Sequence, residues 1–122
     1  MDYWFLMTGA IISLAGMVFH GVIGGKIYTK NINDSDMQSL TKSLSLVSWH
    51  VFTLVLFISA STLIYIAYHP QFAVAAYPII SINLLGSILF VVLGLGKHRV
   101  LLRMPGAILM GVTALLAWLG VW

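Results

Sequence analysis

Apolar residues run almost without interruption along four stretches of this 122-residue chain, and the polar positions collect in two hydrophilic connections between them. The stretches cover about residues 3–25, 44–68, 78–96 and 105–122. A helix needs about 20 apolar residues to cross the hydrocarbon layer of a membrane, so four crossings would use most of the chain. The pattern predicts an all-α fold: a transmembrane bundle of four antiparallel helices, forming one integral membrane domain over residues 1–122.

Punctuation supports these boundaries. Residues 26–43 carry Asn31, Asn33, Asp34 and Asp36 and read as a cytoplasmic loop. Ser35 and Gln38 have the spacing of a capping box, which predicts a helix start near Asp36. Pro78 and Pro105 suit the first turns of the third and fourth helices. The nearly uncharged segment Pro70–Tyr77 reads as a tight periplasmic hairpin.

Composition reinforces the membrane reading. Hydrophobic residues make up 61% of the chain and charged residues 7%, against about a quarter charged in a soluble domain. One soluble core of this size could not hide so much apolar surface, so lipid must cover part of it. The N-terminus has no basic leader region and no small-residue cleavage motif, so it is expected to be a retained first span.

Charge orients the bundle. Lys26, Lys30 and Lys42 lie in one connection and Lys97, Arg99 and Arg103 in the other. Short loops rich in Lys and Arg stay in the cytoplasm. Tyr3, Trp4, Tyr65, Tyr68, Tyr77, Trp118 and Trp122 map to the opposite boundary, where aromatic belts sit. Both termini are therefore expected on the periplasmic side.

Small residues predict which faces look inward, because helices in lipid associate by close approach and interhelical hydrogen bonds. Gly9, Ser13, Gly16, His20 and Gly24 form one stripe of the first span. Asn83, Ser87, Val91, Gly94 and His98 form one in the third. Gly106, Met110, Thr113, Ala117 and Gly120 or Val121 form one in the fourth. In the second span His50, Leu54, Phe57 or Ile58, Ser61 and Tyr65 share the face expected to point inward.

The candidate chemistry is carried by histidines. His20 and His50 each lie five or six residues inside the cytoplasmic end of a span, which predicts a common depth roughly 8 Å below that boundary. Two imidazoles on adjacent helices can hold a haem b iron, bind a metal ion with His98 as a further ligand, or face a quinone-like head group. Trp49 reads as an interface anchor. Cysteine is absent, which excludes disulfides, thiolate sites and cysteine nucleophiles. No acidic residue lies within a span, which disfavours export by proton exchange at a buried carboxylate. No hydrolytic triad, zinc-protease or phosphate-loop motif occurs.

The runs Phe19-His20-Gly21-Val22-Ile23-Gly24-Gly25-Lys26, Ser48-Trp49-His50 and Gly94-Leu95-Gly96-Lys97-His98 resemble small four-span bacterial membrane proteins of no assigned activity. The resemblance implies the fold and a bacterial inner membrane, and no activity. The expected function is a non-enzymatic membrane subunit, of a homo-oligomer or a larger complex, with a ligand-binding interior at His20 and His50. The alternatives are a small oligomeric transporter or channel, and a membrane assembly factor. Nucleic acid is not an expected partner, since topology accounts for the basic residues.

Overall fold

The computed structural model describes every residue from Met1 to Trp122 and is helical throughout, with no strand. Helix α1 (Tyr3–Val18) passes through a π-helical segment (Phe19–Gly24) into α2 (Gly25–Asn33), and α3 follows at Ser39–Tyr68. A 3₁₀ turn (Pro70–Ala75) leads into α4 (Ala76–Leu95). A second (Arg99–Arg103) precedes α5 (Gly106–Val121). Three continuous helical stretches are long and apolar enough to cross a membrane: Tyr3–Asn33, Ser39–Tyr68 and Pro70–Leu95. Helix α5 is shorter, at 16 residues.

Several boundaries differ from the sequence expectation. Residues 26–43 are mostly helix, with only 34–38 non-helical between α2 and α3. Lys26 and Lys30 tolerate helix well, and α2 finds a partner in α3. Ser35 does not open a capping box. Its hydroxyl donates 2.6 Å to the Ile32 carbonyl and closes α2, and α3 starts at Ser39, three residues later than expected. The 70–77 hairpin is itself helical, starting at Pro70, whose missing N–H costs nothing at a first turn.

α1 packs against α3 on one side and α5 on the other, and α5 packs against α4. The α1–α5 contact is tight because Gly120 has no side chain: a β-carbon there would stand 2.7 Å from Leu6 Cγ. Asp2 accepts from the backbone N–H groups of Trp4 and Phe5, capping α1, while its own N–H donates 2.8 Å to the Gly120 carbonyl. Nearby, the Tyr3 and Tyr68 hydroxyls are 2.9 Å apart. Tyr77, Trp118 and Trp122 make edge or tilted ring contacts. These aromatics gather at one end of the bundle and the basic residues at the other.

The apolar core sits toward the aromatic end, where Leu6, Ala10, Leu63, Ile66, Ala76 and Ala117 are buried together. α3 and α4 meet here. Their hydrogen-bonded contact nearest the basic end is Asn83 Nδ2 donating 3.1 Å to Ser59 Oγ. Asn83 also donates 2.9 Å to the Ile79 carbonyl, one turn back. Beyond that level the space between α3 and α4 is occupied by the segment leading into α5.

In the small stripes of the first and fourth spans Gly9, Ser13, Gly16, Met110, Thr113, Ala117 and Gly120 are buried, and His20, Gly24 and Gly106 are half-buried. In the third, Asn83 and Gly94 are buried and Ser87 is half-buried, while Val91 and His98 are exposed. The second span differs most. His50, Leu54, Phe57, Ile58, Ser61 and Tyr65 are all exposed. The inward face of α3 is instead Leu56, Ser59, Ala60, Leu63 and Ile66. This face meets the first span closely: a β-carbon at Gly9 would stand 3.4 Å from Leu63 Cδ1 and one at Gly16 3.8 Å from Leu56 Cδ1.

Candidate functional site

At the basic end the chain builds a stack of rings. The Trp49 indole lies between His20 (ring centroids 3.9 Å apart, planes 15°) and Tyr28 (4.1 Å, 14°). Phe52 meets the His20 ring edge-on at 4.8 Å. Glycines make the stack feasible: a β-carbon at Gly24 would lie 3.0 Å from the Trp49 ring, and one at Gly21 would lie 2.7 Å from Thr53 Cγ2. Trp49 therefore belongs to the bundle interior, and the expected interface anchor is corrected.

The π-helical segment places His20 within this stack. A π turn widens the helix and disturbs the regular i→i−4 hydrogen-bond ladder, and such segments recur at functional sites. Here the Trp49 indole N–H donates 3.2 Å to the His20 carbonyl. The His20 ring is held in turn by Thr53, with Nδ1 2.9 Å from Oγ1. Thr53 Oγ1 also donates 3.4 Å to the Trp49 carbonyl. The Nδ1–Oγ1 contact fixes the ring in place, which of the two atoms donates depends on the imidazole tautomer, and Nε2 has no partner within the chain.

The α1–α3 register thus sets His20 opposite Thr53, and not opposite His50. Three residues of helix separate those two positions, about 4.5 Å along the axis. His50 is exposed on the flank of α3. His98, after α4, is also exposed; its N–H donates to the Leu93 carbonyl. No three His, Cys, Asp or Glu side chains come together as a metal-binding group, so His98 does not join His20 and His50 in a three-ligand site.

Beside the stack lies a cavity of about 170 Å³. Its walls come from Phe19 and Trp49 on one side and from Phe90, Met104 and Leu109 on the other, with His20 the single titratable side chain among them. The cavity exists because α3 and α4 do not close on each other at this end, and the 99–105 segment roofs the gap. Gly106 lets α5 start against the Phe90 ring, where a β-carbon would stand 2.7 Å away. Drug-sized ligands occupy pockets of about 300–1,000 Å³. A haem exceeds this space, and one imidazole cannot supply two axial ligands. The cavity as it stands fits neither haem b nor a three-ligand metal site.

Tyr28, Thr53, Phe52 and Phe90 were not among the expected site residues. Their signal was indirect: Gly21, Gly24 and Gly25 form a patch one turn long that needs a large partner, and Trp49 and Thr53 are spaced i, i+4 to provide it. Comparison with protein-family models, curated proteins and solved structures gives no match, so the functional reading rests on this geometry.

Proposed function

We propose that this chain is a non-enzymatic, four-span subunit of a bacterial inner membrane, its helices antiparallel and its termini periplasmic, whose basic-end cavity receives the ring of a membrane-soluble ligand of the quinol class. The observation that carries the reading is the cavity itself: aromatic walls suited to a flat ring, with one imidazole nitrogen free to accept a hydrogen bond. In this reading Nδ1–H donates to Thr53, and Nε2 accepts from a hydroxyl donor. A quinol or phenol can donate to Nε2, whereas an oxidised quinone offers only carbonyl acceptors.

Titration of the purified protein with a short-chain quinol and with its oxidised form tests this by calorimetry. The reduced form should bind about ten-fold more tightly, the worth of one hydrogen bond in a dry site. His20→Phe should abolish the difference while leaving the helical fold intact. Equal binding of both forms, or unchanged preference in His20→Phe, would overturn the reading.

In the same proposal the chain works as an oligomer, and the outward face of α3 is the seam. His50 and Ser61 set polar groups on a face that lipid would otherwise cover, at the three- and four-residue spacing of a helix–helix contact. The cysteine-free chain makes the test simple. Ser61→Cys should form a disulfide dimer in membranes and Leu89→Cys, on α4, should not; the reverse order would exclude this seam.

A further inference from the structure

We infer that the outer face of the first helical rod, from Val18 through Lys30, is a binding site for an anionic phospholipid. Val18 and Val22 are exposed and apolar; Gly21 and Gly25 follow within a turn; then come Lys26, Thr29 and Lys30. Gly21, Gly25, Lys26, Thr29 and Lys30 line one open groove. Along its length the groove changes from apolar, to side-chain-free, to basic and hydroxyl-bearing. A phospholipid has that same sequence of parts: acyl chain, glycerol and phosphate.

The charge balance supports an anionic ligand. Lys26 and Lys30 are one turn apart on one face, so both ammonium groups can reach one phosphate, with the Thr29 hydroxyl beside them. Of the three carboxylates in the chain, Asp2 is committed to capping α1 at the far end. That leaves Asp34 and Asp36 against all six lysines and arginines at the basic end. Lys42 is occupied differently, donating 2.8 Å to the Asn33 carbonyl. Gly21 and Gly25 add no side chain to the groove, their β-carbon positions being turned toward Thr53 and Trp49, so the groove floor there is bare backbone. This site faces outward and does not depend on what occupies the cavity around His20, although it rests on the basic end lying at the membrane boundary.

Native mass spectrometry of the detergent-solubilised protein, titrated with phosphatidylglycerol or phosphatidylcholine, reads the site directly. The wild type should retain phosphatidylglycerol in preference to phosphatidylcholine. Lys26→Gln with Lys30→Gln should weaken that retention about thirty-fold, each charge near the surface contributing about five-fold. Lys26→Arg with Lys30→Arg should retain binding and serves as the folding control. Arg99→Gln with Arg103→Gln removes the same charge elsewhere at the basic end and should change little. Equal losses in the two Gln pairs would mean diffuse attraction and would overturn the site. Displacement of phosphatidylglycerol by millimolar glycerol phosphate would overturn the lipid assignment in favour of a free phosphate. Loss of binding in the arginine pair would overturn the two-charge account.

Discussion

The two ends of this bundle are built from the same four helices and solve opposite problems. At the aromatic end small residues let the helices close: Gly120 meets Leu6, and Ala10, Ala76 and Ala117 are fully buried. At the basic end Trp49, His20, Tyr28 and Phe90 stand between helices as large, flat spacers. Closure at one end and rings at the other leave a cavity where rings cannot tile space. Helix packing in lipid lacks the hydrophobic drive that operates in water, so contact area and hydrogen bonds decide stability. The closed end should then carry stability and the open end should carry binding.

Leu6→Ala would strain that division most. Its side chain is fully buried in the closed end, and truncation should cost about 3 kcal/mol through the void it leaves. The midpoint of thermal unfolding in detergent checks this. A loss no larger than that of an exposed leucine such as Leu89→Ala would show that the core does not hold the bundle.

One substitution made at both ends sharpens the comparison. Gly120→Ala forces a β-carbon to 2.7 Å from Leu6 and 3.1 Å from its backbone nitrogen, and should cost about 2 kcal/mol. Gly16→Ala borders the cavity, where the nearest atom to a β-carbon is 3.8 Å away, and should change stability by about 0.5 kcal/mol or less. Gly16→Leu should fill the cavity and abolish quinol binding in the calorimetric titration. If Gly16→Ala proves the more damaging of the two alanine variants, the open and closed ends have been misassigned.

Trp49→Phe keeps a ring in the stack and removes the indole N–H that serves the His20 carbonyl. The expected loss is about 1 kcal/mol, the net worth of one hydrogen bond, read from the same unfolding midpoint. Tyr3→Phe removes the 2.9 Å contact to the Tyr68 hydroxyl at an exposed position, where water can replace the partner. Its cost should be about 0.5 kcal/mol or less. A Tyr3→Phe effect larger than that of Trp49→Phe would reverse the ordering of an exposed and an interior hydrogen bond.

Much of the fold was legible in residue order alone. Runs of apolar residues longer than a bilayer crossing made helices the only economical backbone, since every N–H and C=O can be satisfied within the segment. Inward positions were readable where they were small: Gly9, Ser13 and Gly16, and Thr113, Ala117 and Gly120, occur at helical spacing and are buried. Small size marks a contact directly, because a glycine facing lipid gains nothing from being small.

The second span shows what this reasoning could not reach. Of its polar residues, His50 and Ser61 pointed to an inward face that is in fact exposed, while Thr53 and Ser59 turn inward together with Trp49 and Phe52. Polarity is a poor guide to facing when the neighbouring helix offers glycines, because the larger gain comes from filling their space with rings. His20 came to lie beside Thr53, one turn along α3 from His50, for a related reason. Depth counted from helix ends assumed one regular rise per residue and a loop between the helices. The chain instead inserts a π-helical segment at Phe19–Gly24 and extends helix through residue 33.

Composition and periodicity by themselves determined that this chain is a set of apolar helices, gathered its basic residues at one end and most of its tyrosines and tryptophans at the other, and marked the faces on which two helices close. These follow from forces acting within a segment or between a segment and its solvent. Only the tertiary structure decided that His20 is held by Thr53, that Trp49 is clamped between His20 and Tyr28, and that a cavity opens beside them. Those features depend on the register and rotation of one helix against another. Register and rotation are set by the summed fit of many side chains, which no single stretch of sequence contains.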